Sequence, residues 1–231
     1  MSDDNILVGF VEYVGDPSTW TGAGGLLSRI LEHSYYTVLA LALAALVALP
    51  VGLLIGHTNR GSFLALNIAN AGRALPSLGV LILVALATSI GLGPAMVALV
   101  ILGIPPILAS TYAGIRNVDP DAVDAARGMG LTEWEVLWSV EVPIALPLVI
   151  SGLRAATLQI VSTATIAAVV ALGGLGRPLL DSLALRQYPK AMAAALLVAA
   201  LAIAFDLSFA ALTRVVVSPG VLARRVSRST G

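Results

Sequence analysis

The sequence predicts an all-α integral membrane protein with about five transmembrane helices. The mean hydropathy of the 231-residue chain is +0.95, and 58% of its residues are hydrophobic while only 11% are charged. A chain of this composition has lipid as its natural solvent. Its apolar stretches are long enough to cross a bilayer, which takes about 20 helical residues each, and they leave little sequence for a soluble domain.

The chain begins with a less apolar segment, residues 1–33, which carries five carboxylates. Within it, Gly22–Glu32 has leucine and isoleucine on one side, which predicts an amphipathic helix leading into the membrane. The start, MSDDN, lacks the positive charge of a cleaved signal peptide, so we expect the first span to direct insertion. The predicted organisation is this extracytoplasmic segment, a transmembrane domain over 34–217 and a cytoplasmic tail over 218–231.

The first span runs from Tyr35 or Tyr36 to about Ile55, and the second covers Phe63–Leu86 with an interruption at its centre. Irregular backbone at membrane depth is tolerated where protein or a water-filled cavity receives it. The interruption therefore makes four residues candidates for a translocation path: Asn70, Arg73, Pro76 and Ser77. The alternative is a helix that simply starts near Pro76, with the Arg73 side chain extending to the membrane interface.

Three further spans are predicted at Ala95–Ala113, Ile144–Ala171 and Ala191–Leu212. The first of these contains the pair Pro105-Pro106, which predicts a kink. In the fourth span of the chain, three polar side chains recur at helical spacing and share one face: Gln159, Ser162 and Thr163. A polar face in lipid turns towards other helices or a pore, so these residues either join helices or line the translocation path.

Two charges lie inside apolar spans, Arg154 in the fourth and Asp206 in the fifth. Such charges are normally paired or directed into the helix bundle. At the helical rise, Arg154 lies about 15 Å and Asp206 about 12 Å from the inner ends of their spans. We therefore expect an ion pair that clamps the two spans together. The alternative is that Arg154 extends to the headgroups while Asp206 separately faces a water-filled crevice.

The longest charged interval between spans, Asp119–Pro147, has the layout of two short helices. Asp119 and Pro120 suit the start of the first helix, because the carboxylate accepts free N–H groups and proline lacks one. Gly128 and Gly130 suit its end.

The second helix of this interval is predicted to begin with a capping box formed by Thr132 and Glu135. Its apolar face is predicted from helical spacing and consists of Trp134, Leu137 and Trp138. We expect Pro143 to end this helix.

The spacing in this interval resembles the EAA motif of permeases of binding-protein-dependent ABC importers. That motif reads E-A-A, three residues, G, nine residues, then I-x-L-P. Here Asp124-Ala125-Ala126 is followed at the same intervals by Gly130 and by Val140-Glu141-Val142-Pro143, with conservative exchanges of Asp for Glu and of Val for Ile and Leu. The resemblance extends from about Arg73 to Asp181. The runs TYAGIRNVDP, DAARGMG and ALGGLGRP are similar to the osmoprotectant branch, whose substrates include glycine betaine, choline, carnitine and proline.

The resemblance implies a type I ABC importer permease fold in which the loop over 116–143 is a coupling helix seated in a groove of the cytoplasmic ATPase. The implied partners are ABC ATPase subunits, a second permease copy or a paralogue, an extracytoplasmic substrate-binding protein and membrane lipid. No cofactor or metal is expected. The residues expected to couple to the ATPase are Asp124, Ala125, Ala126, Arg127, Gly130, Glu133 and Pro143.

The implied function is a translocation path for a small compatible solute, and a permease for an amino acid or methionine is the alternative within the superfamily. An integral membrane enzyme or a passive channel is disfavoured, because neither needs a loop that docks an ATPase. The sole lysine, Lys190, lies outside any P-loop pattern, and no HExxH or GxSxG motif is present, so catalysis is not predicted. Zero net charge with one lysine also argues against nucleic-acid binding.

Charge counting predicts the orientation in a bacterial inner membrane. If the charged loop is cytoplasmic, five spans place the N-terminus outside and the C-terminus inside. Seven arginines then lie on the cytoplasmic side, which agrees with the positive-inside tendency: Arg60, Arg116, Arg127, Arg214, Arg224, Arg225 and Arg228. The outer side has four basic residues: Arg29, Arg177, Arg186 and Lys190.

Overall fold

The computed structural model of the chain describes residues 3–63, 67, 70, 72 and 74–217, with the backbone alone at 3–5. All regular secondary structure in this part of the chain is helical, which confirms the predicted fold class. The helices are α1 (Asp3–Gly15), α2 (Leu26–Thr58), α3 (Ser77–Ala87), α4 (Leu92–Arg116), α5 (Pro120–Gly128), α6 (Glu133–Val136), α7 (Val142–Ile166), α8 (Gly176–Ala184) and α9 (Tyr188–Val216). A π-helical segment, Leu137–Glu141, joins α6 to α7, and 3₁₀ turns occupy Pro17–Thr19 and Ala167–Val170.

Among the described residues, four helical runs are long and apolar enough to cross a membrane: Leu26–Thr58, Leu92–Arg116, Glu133–Val170 and Tyr188–Val216. They contain the predicted first, third and fifth spans, and the predicted fourth span except for its last residue, Ala171. The predicted second span is interrupted where expected, because Leu75 and Pro76 are not helical and Pro76 caps α3. With 11 residues, α3 is about 16 Å long, which is about half a bilayer core. Arg73 lies outside the described residues, as does the predicted tail over 218–231.

The N-terminal segment contains a helix that the sequence analysis missed, α1. The segment predicted as an amphipathic helix, Gly22–Glu32, is also not a separate element. Gly22 has φ +88° and belongs to a turn, and α2 begins at Leu26 and continues through the first span to Thr58. The carboxylates of residues 1–33 suggested a break from the membrane domain, but a polar helical turn at the interface does not interrupt the backbone ladder of a long helix.

The described residues form two compact units. One comprises those of 1–43, 75–103 and 157–205, and the other those of 44–74, 104–156 and 206–217. In the first unit the core is made by side chains from α2, α3, α4 and α7, among them Ala40, Leu81, Leu99 and Ile160, each at most 1% exposed.

In the second unit, small residues bring the end of α2 against α4. A Cβ added to Gly52 would lie 2.8 Å from Cβ of Thr111, and one added to Gly56 would lie 2.7 Å from Cβ of Ile115. Both distances are shorter than real carbon contacts, so only glycine permits this approach. A glycine pair four residues apart is a common means of close helix packing in membranes. The contact fixes the last turn of α2 beside the C-terminal end of α4.

Candidate functional site

The first helix of the charged interval, α5, has the predicted start. Oδ1 of Asp119 accepts a hydrogen bond of 3.2 Å from the backbone N–H of Asp121, and Pro120 occupies the first helical position. Asp121 places negative charge in the first turn and Arg127 places positive charge in the last, and both favour the helix dipole. The helix therefore forms where its terminal residues predict it.

The end of α5 is a Schellman turn centred on Gly130. The N–H of Gly130 donates to the carbonyl of Arg127 at 2.9 Å, and the N–H of Leu131 donates to the carbonyl of Ala126 at 3.2 Å. These two hydrogen bonds form only when the residue after the C-cap has a left-handed backbone conformation. Gly130 is that residue, with φ +88°. Gly128 is the last helical residue and has no such requirement. The glycine of the motif is therefore required by the turn.

The second helix begins with the predicted capping box. The N–H of Glu135 donates to Oγ1 of Thr132, and the Glu135 carboxylate accepts from the N–H of Thr132 at 2.8 Å. The three apolar residues predicted to share a face separate in the structure. Leu137 is buried among α4 and α7 residues, whereas Trp134 and Trp138 are exposed and stack edge to face with ring centroids 5.8 Å apart.

The prediction that Pro143 ends the second helix is wrong. Helical backbone runs without a break from Glu133 to Val170, and Pro143 is the second residue of α7. It follows directly after the π-helical segment Leu137–Glu141. Proline removes an N–H from the α-helical ladder, and the wider π turn already interrupts that ladder, so the proline is accommodated there.

The predicted coupling residues that carry charge are connected to one another. Arg127 binds Glu133 through Nε and Nη2, each at 2.9 Å, and Asp124 through Nη1 at 3.4 Å. The hydrogen bonds to Glu133 raise the pKa of Arg127 above its already high ordinary value, so the guanidinium stays charged. The bidentate pair ties the end of α5 to the start of α6 across the Gly130 turn.

The two alanines of the motif differ in their surroundings. Ala125 is exposed, but Ala126 is 1% exposed and packs with Val118, Val123 and Val136 in a small cluster beneath α5. A larger side chain at Ala126 would therefore disturb the packing of α5 itself. Ala125, Gly128 and Met129 form the exposed side of the helix end.

Two functional candidates that the sequence analysis did not select, His57 and Glu141, join this network. Nδ1 of His57 lies 2.6 Å from Oε2 of Glu141, and its Nε2 lies 3.3 Å from Oε2 of Glu133. Glu141 is 5% exposed. A carboxylate in the apolar run WSVEVPIAL was the available signal, because a buried acid requires a partner. That partner is 84 residues away in sequence. A cavity of about 200 Å³ lies beside these groups.

The candidate translocation residues lie in three places. Asn70 and Pro76 are exposed and Ser77 is half-buried, while Arg73 is outside the described residues. On α7, Nε2 of Gln159 donates to Oγ1 of Thr163 at 3.3 Å, Thr163 is buried, and Ser162 is exposed. Thr163 thus makes contacts within the helix bundle. A role of any of them in translocation stays a prediction.

Arg154 and Asp206 are in contact, as the pairing hypothesis requires. Nη2 of Arg154 lies 2.6 Å from Oδ2 of Asp206, and its Nε donates to Oδ1 of the same carboxylate. The pair joins α7 to α9. The side chains are 46% and 28% exposed on the isolated chain, so the pair lies on a flank of the helices. Its role as a structural clamp stays a prediction.

The long apolar helices, with a capped charged helix pair between two of them, are those of a multi-pass membrane protein. The sequence pattern of the family described as "Binding-protein-dependent transport system inner membrane component" matches residues 48–218. The chain belongs to this family. It is therefore a multi-pass inner-membrane permease component, a transport subunit of such a system.

Two curated relatives illustrate the similarity. The glycine betaine/carnitine/choline transport system permease protein OpuCB of Bacillus subtilis (strain 168) is 33% identical over 201 residues, which cover 87% of this chain and 93% of that protein. The osmoprotectant import permease protein OsmY of Salmonella typhimurium is 33% identical over 177 residues, covering 76% and 75%. Alignments of these lengths include the charged interval.

The fold agrees with solved structures. A chain in an inward-facing structure of the MetNI methionine ABC transporter has a TM-score of 0.73 at 23% identity, covering 84% of this chain and 97% of that one. A chain of an amino acid ABC transporter solved with histidines has a TM-score of 0.66 at 20% identity, covering 93% and 97%. At these identities the likeness establishes the importer permease fold.

Proposed function

We propose that this chain forms the translocation path of an ATP-driven importer for small osmoprotectants such as glycine betaine, choline, carnitine or proline. The observation that carries the coupling to ATP is the charged helix pair, in which caps, a Schellman turn and a bidentate ion pair hold α5 rigidly. A rigid helix that presents Ala125, Gly128 and Met129 suits docking into a groove of an ATPase. The partners proposed are two ATPase subunits, a second permease copy or paralogue, and an extracytoplasmic binding protein.

The substrate class is supported by the names of the curated relatives, which transport glycine betaine, carnitine and choline or import osmoprotectants. Quaternary ammonium groups are recognised by cages of aromatic rings. This chain has only four Phe, five Tyr and three Trp, so we propose that the binding protein supplies most of the selectivity. The likeness to methionine and amino acid transporters concerns the fold, and it makes methionine the appropriate competing substrate in a test.

The proposal is tested by co-purifying the chain with its ATPase, permease partner and binding protein, and reconstituting the complex in proteoliposomes. We expect ATP-dependent uptake of labelled glycine betaine or choline, and excess carnitine or proline should compete with it while methionine should not. Uptake of methionine with no uptake of the four compatible solutes would refute the substrate class. Uptake that needs no ATP would refute coupling to an ATPase.

Orientation is a separate prediction, because it depends on whether residues 62–87 cross the membrane. The chain has no cysteine, so maleimide labelling of a variant with one introduced cysteine reports the accessibility of that position alone. In the N-out, C-in arrangement, Ser18→Cys should react with an impermeant maleimide in intact spheroplasts, and Asp121→Cys should react only after the membrane is opened. Both positions are exposed. Labelling of Asp121→Cys from outside would reverse the arrangement.

A further inference from the structure

The last turn of α2 is joined to the charged interval by one side chain, His57. Its two ring nitrogens face two different carboxylates, Glu141 at 2.6 Å and Glu133 at 3.3 Å. The side chain of His57 is 11% exposed and that of Glu141 is 7% exposed. Hydrogen bonds of charged groups are stronger when they are shielded from water, so this contact is firmer than a pair on an open surface.

The contacts continue from His57 to α5. Glu133, which meets Nε2 of the histidine, is also the bidentate partner of Arg127 at the end of α5. A continuous series of side-chain contacts therefore runs from α5 through Arg127, Glu133 and His57 to α2. The other carboxylate, Glu141, lies in the π-helical segment and holds the same imidazole from the start of α7.

The end of α2 is closely packed against α4 beside this connection. Gly52 and Gly56 hold it against Thr111 and Ile115 of α4 at distances that exclude a Cβ. His57 follows Gly56 directly, so its ring is fixed close to the end of α4. These side-chain contacts can therefore pass a displacement of α5 to the end of α2, because the backbones of α2 and α4 are closely packed there.

A metal site is not the explanation for this arrangement. The two carboxylates lie on opposite nitrogens of one imidazole, so the three side chains do not converge on a common point. Among the described residues, no group of His, Asp and Glu is arranged to hold a metal ion. Nδ1 of His57 is hydrogen-bonded to Glu141 and its Nε2 lies beside Glu133, so both sides of the ring have a protein partner.

We propose that His57 is a positioning residue that transmits movement of the ATPase-coupling helix α5 to membrane helix α2. This inference rests on the proposed function, since it assigns the internal route by which ATP-driven movement enters the membrane helices. Coupling free energies between sites correspond to factors of about 5 to 150. Removing the link should therefore lower the uptake per ATP hydrolysed at least about fivefold.

The test compares His57→Leu, Glu141→Leu and the double variant in the reconstituted complex. His57→Leu strands the buried carboxylate of Glu141, so it should lower the melting temperature as well as uptake per ATP. The double variant replaces the buried pair with apolar side chains, which often restores stability. We expect it to recover the melting temperature while uptake per ATP stays low. Recovery of both quantities would overturn the proposal, because it would show that the pair only stabilises the fold.

Thr58→Ala is the matched control, because Thr58 lies next to His57 and its hydroxyl hydrogen-bonds locally, donating to the carbonyl of Leu54 and accepting from the N–H of Arg60. It should leave uptake per ATP unchanged.

A second measurement is independent of the substrate. Amide hydrogen exchange over 119–131 should be faster in the double variant than in wild type, even in purified permease alone. Unchanged exchange would overturn the proposal for His57, whereas absence of uptake by wild type would refute only the proposed function.

Discussion

Replacing Gly130 with leucine is expected to lower ATP-driven uptake by about 5- to 30-fold while the permease still reaches the membrane. Gly130 has φ +88° and closes the Schellman turn after α5. A side chain with a Cβ costs about 1–2 kcal/mol in this conformation, and each 1.4 kcal/mol changes an equilibrium about tenfold. A Cβ at Gly130 would meet nothing within 4 Å, so the penalty comes from the backbone and not from a clash.

Two further variants distinguish an effect on the backbone of the turn from an effect of added bulk on the exposed surface. Gly130→Asn should retain most uptake, because asparagine tolerates the left-handed conformation. Gly128→Leu places the same bulk two residues away, at a position that is helical and open, and should have a smaller effect than Gly130→Leu. Normal uptake by Gly130→Leu would refute the role of the turn in coupling. An equal loss of uptake in all three variants would instead attribute the effect to added side-chain bulk on the exposed end of α5.

The sequence predicts the coupling region well because its determinants are local. The cap of Asp119, the capping box of Thr132 and Glu135, and the turn at Gly130 each depend on residues within five positions of one another. Backbone groups at helix ends must find partners nearby, so the residue types that supply them are visible in the sequence. The spans are predictable for a similar reason, since helix formation in lipid depends mainly on length and hydropathy.

What the sequence does not predict depends on contacts between distant segments. His57 and Glu141 are 84 residues apart, and neither has a local pattern that selects the other. Ala125 and Ala126 are identical in type, yet only packing under α5 makes Ala126 a core residue. Pro143 is compatible with a helix end, but also with a π segment that absorbs the missing N–H. Leu137 of the π segment packs against α4 and α7, and the local sequence does not reveal such a contact between separate helices.

Removing one partner of the Arg154–Asp206 pair is expected to destabilise the protein more than removing both. The two charges meet through two hydrogen bonds between α7 and α9. Both residues lie within apolar spans, where a single unpaired charge is disfavoured. Arg154→Leu and Asp206→Leu should each lower the melting temperature in detergent by several degrees, and less folded protein should be recovered by size exclusion.

The double variant decides whether the pair is a clamp. With both charges gone, no charge is stranded, so Arg154→Leu with Asp206→Leu should be more stable than either single variant. If the double variant instead shows the sum of the single effects, the two residues act independently and the clamp is wrong.

Arg214→Leu, at the end of the same helix α9, is the matched control for the loss of an arginine. It should change the melting temperature little, because Arg214 is exposed in the last turn, where water and headgroups solvate a charge. This outcome of the double-mutant cycle would also explain why each of two apolar helices contains a charge. Each charge would be tolerated within its apolar span only because the other is there.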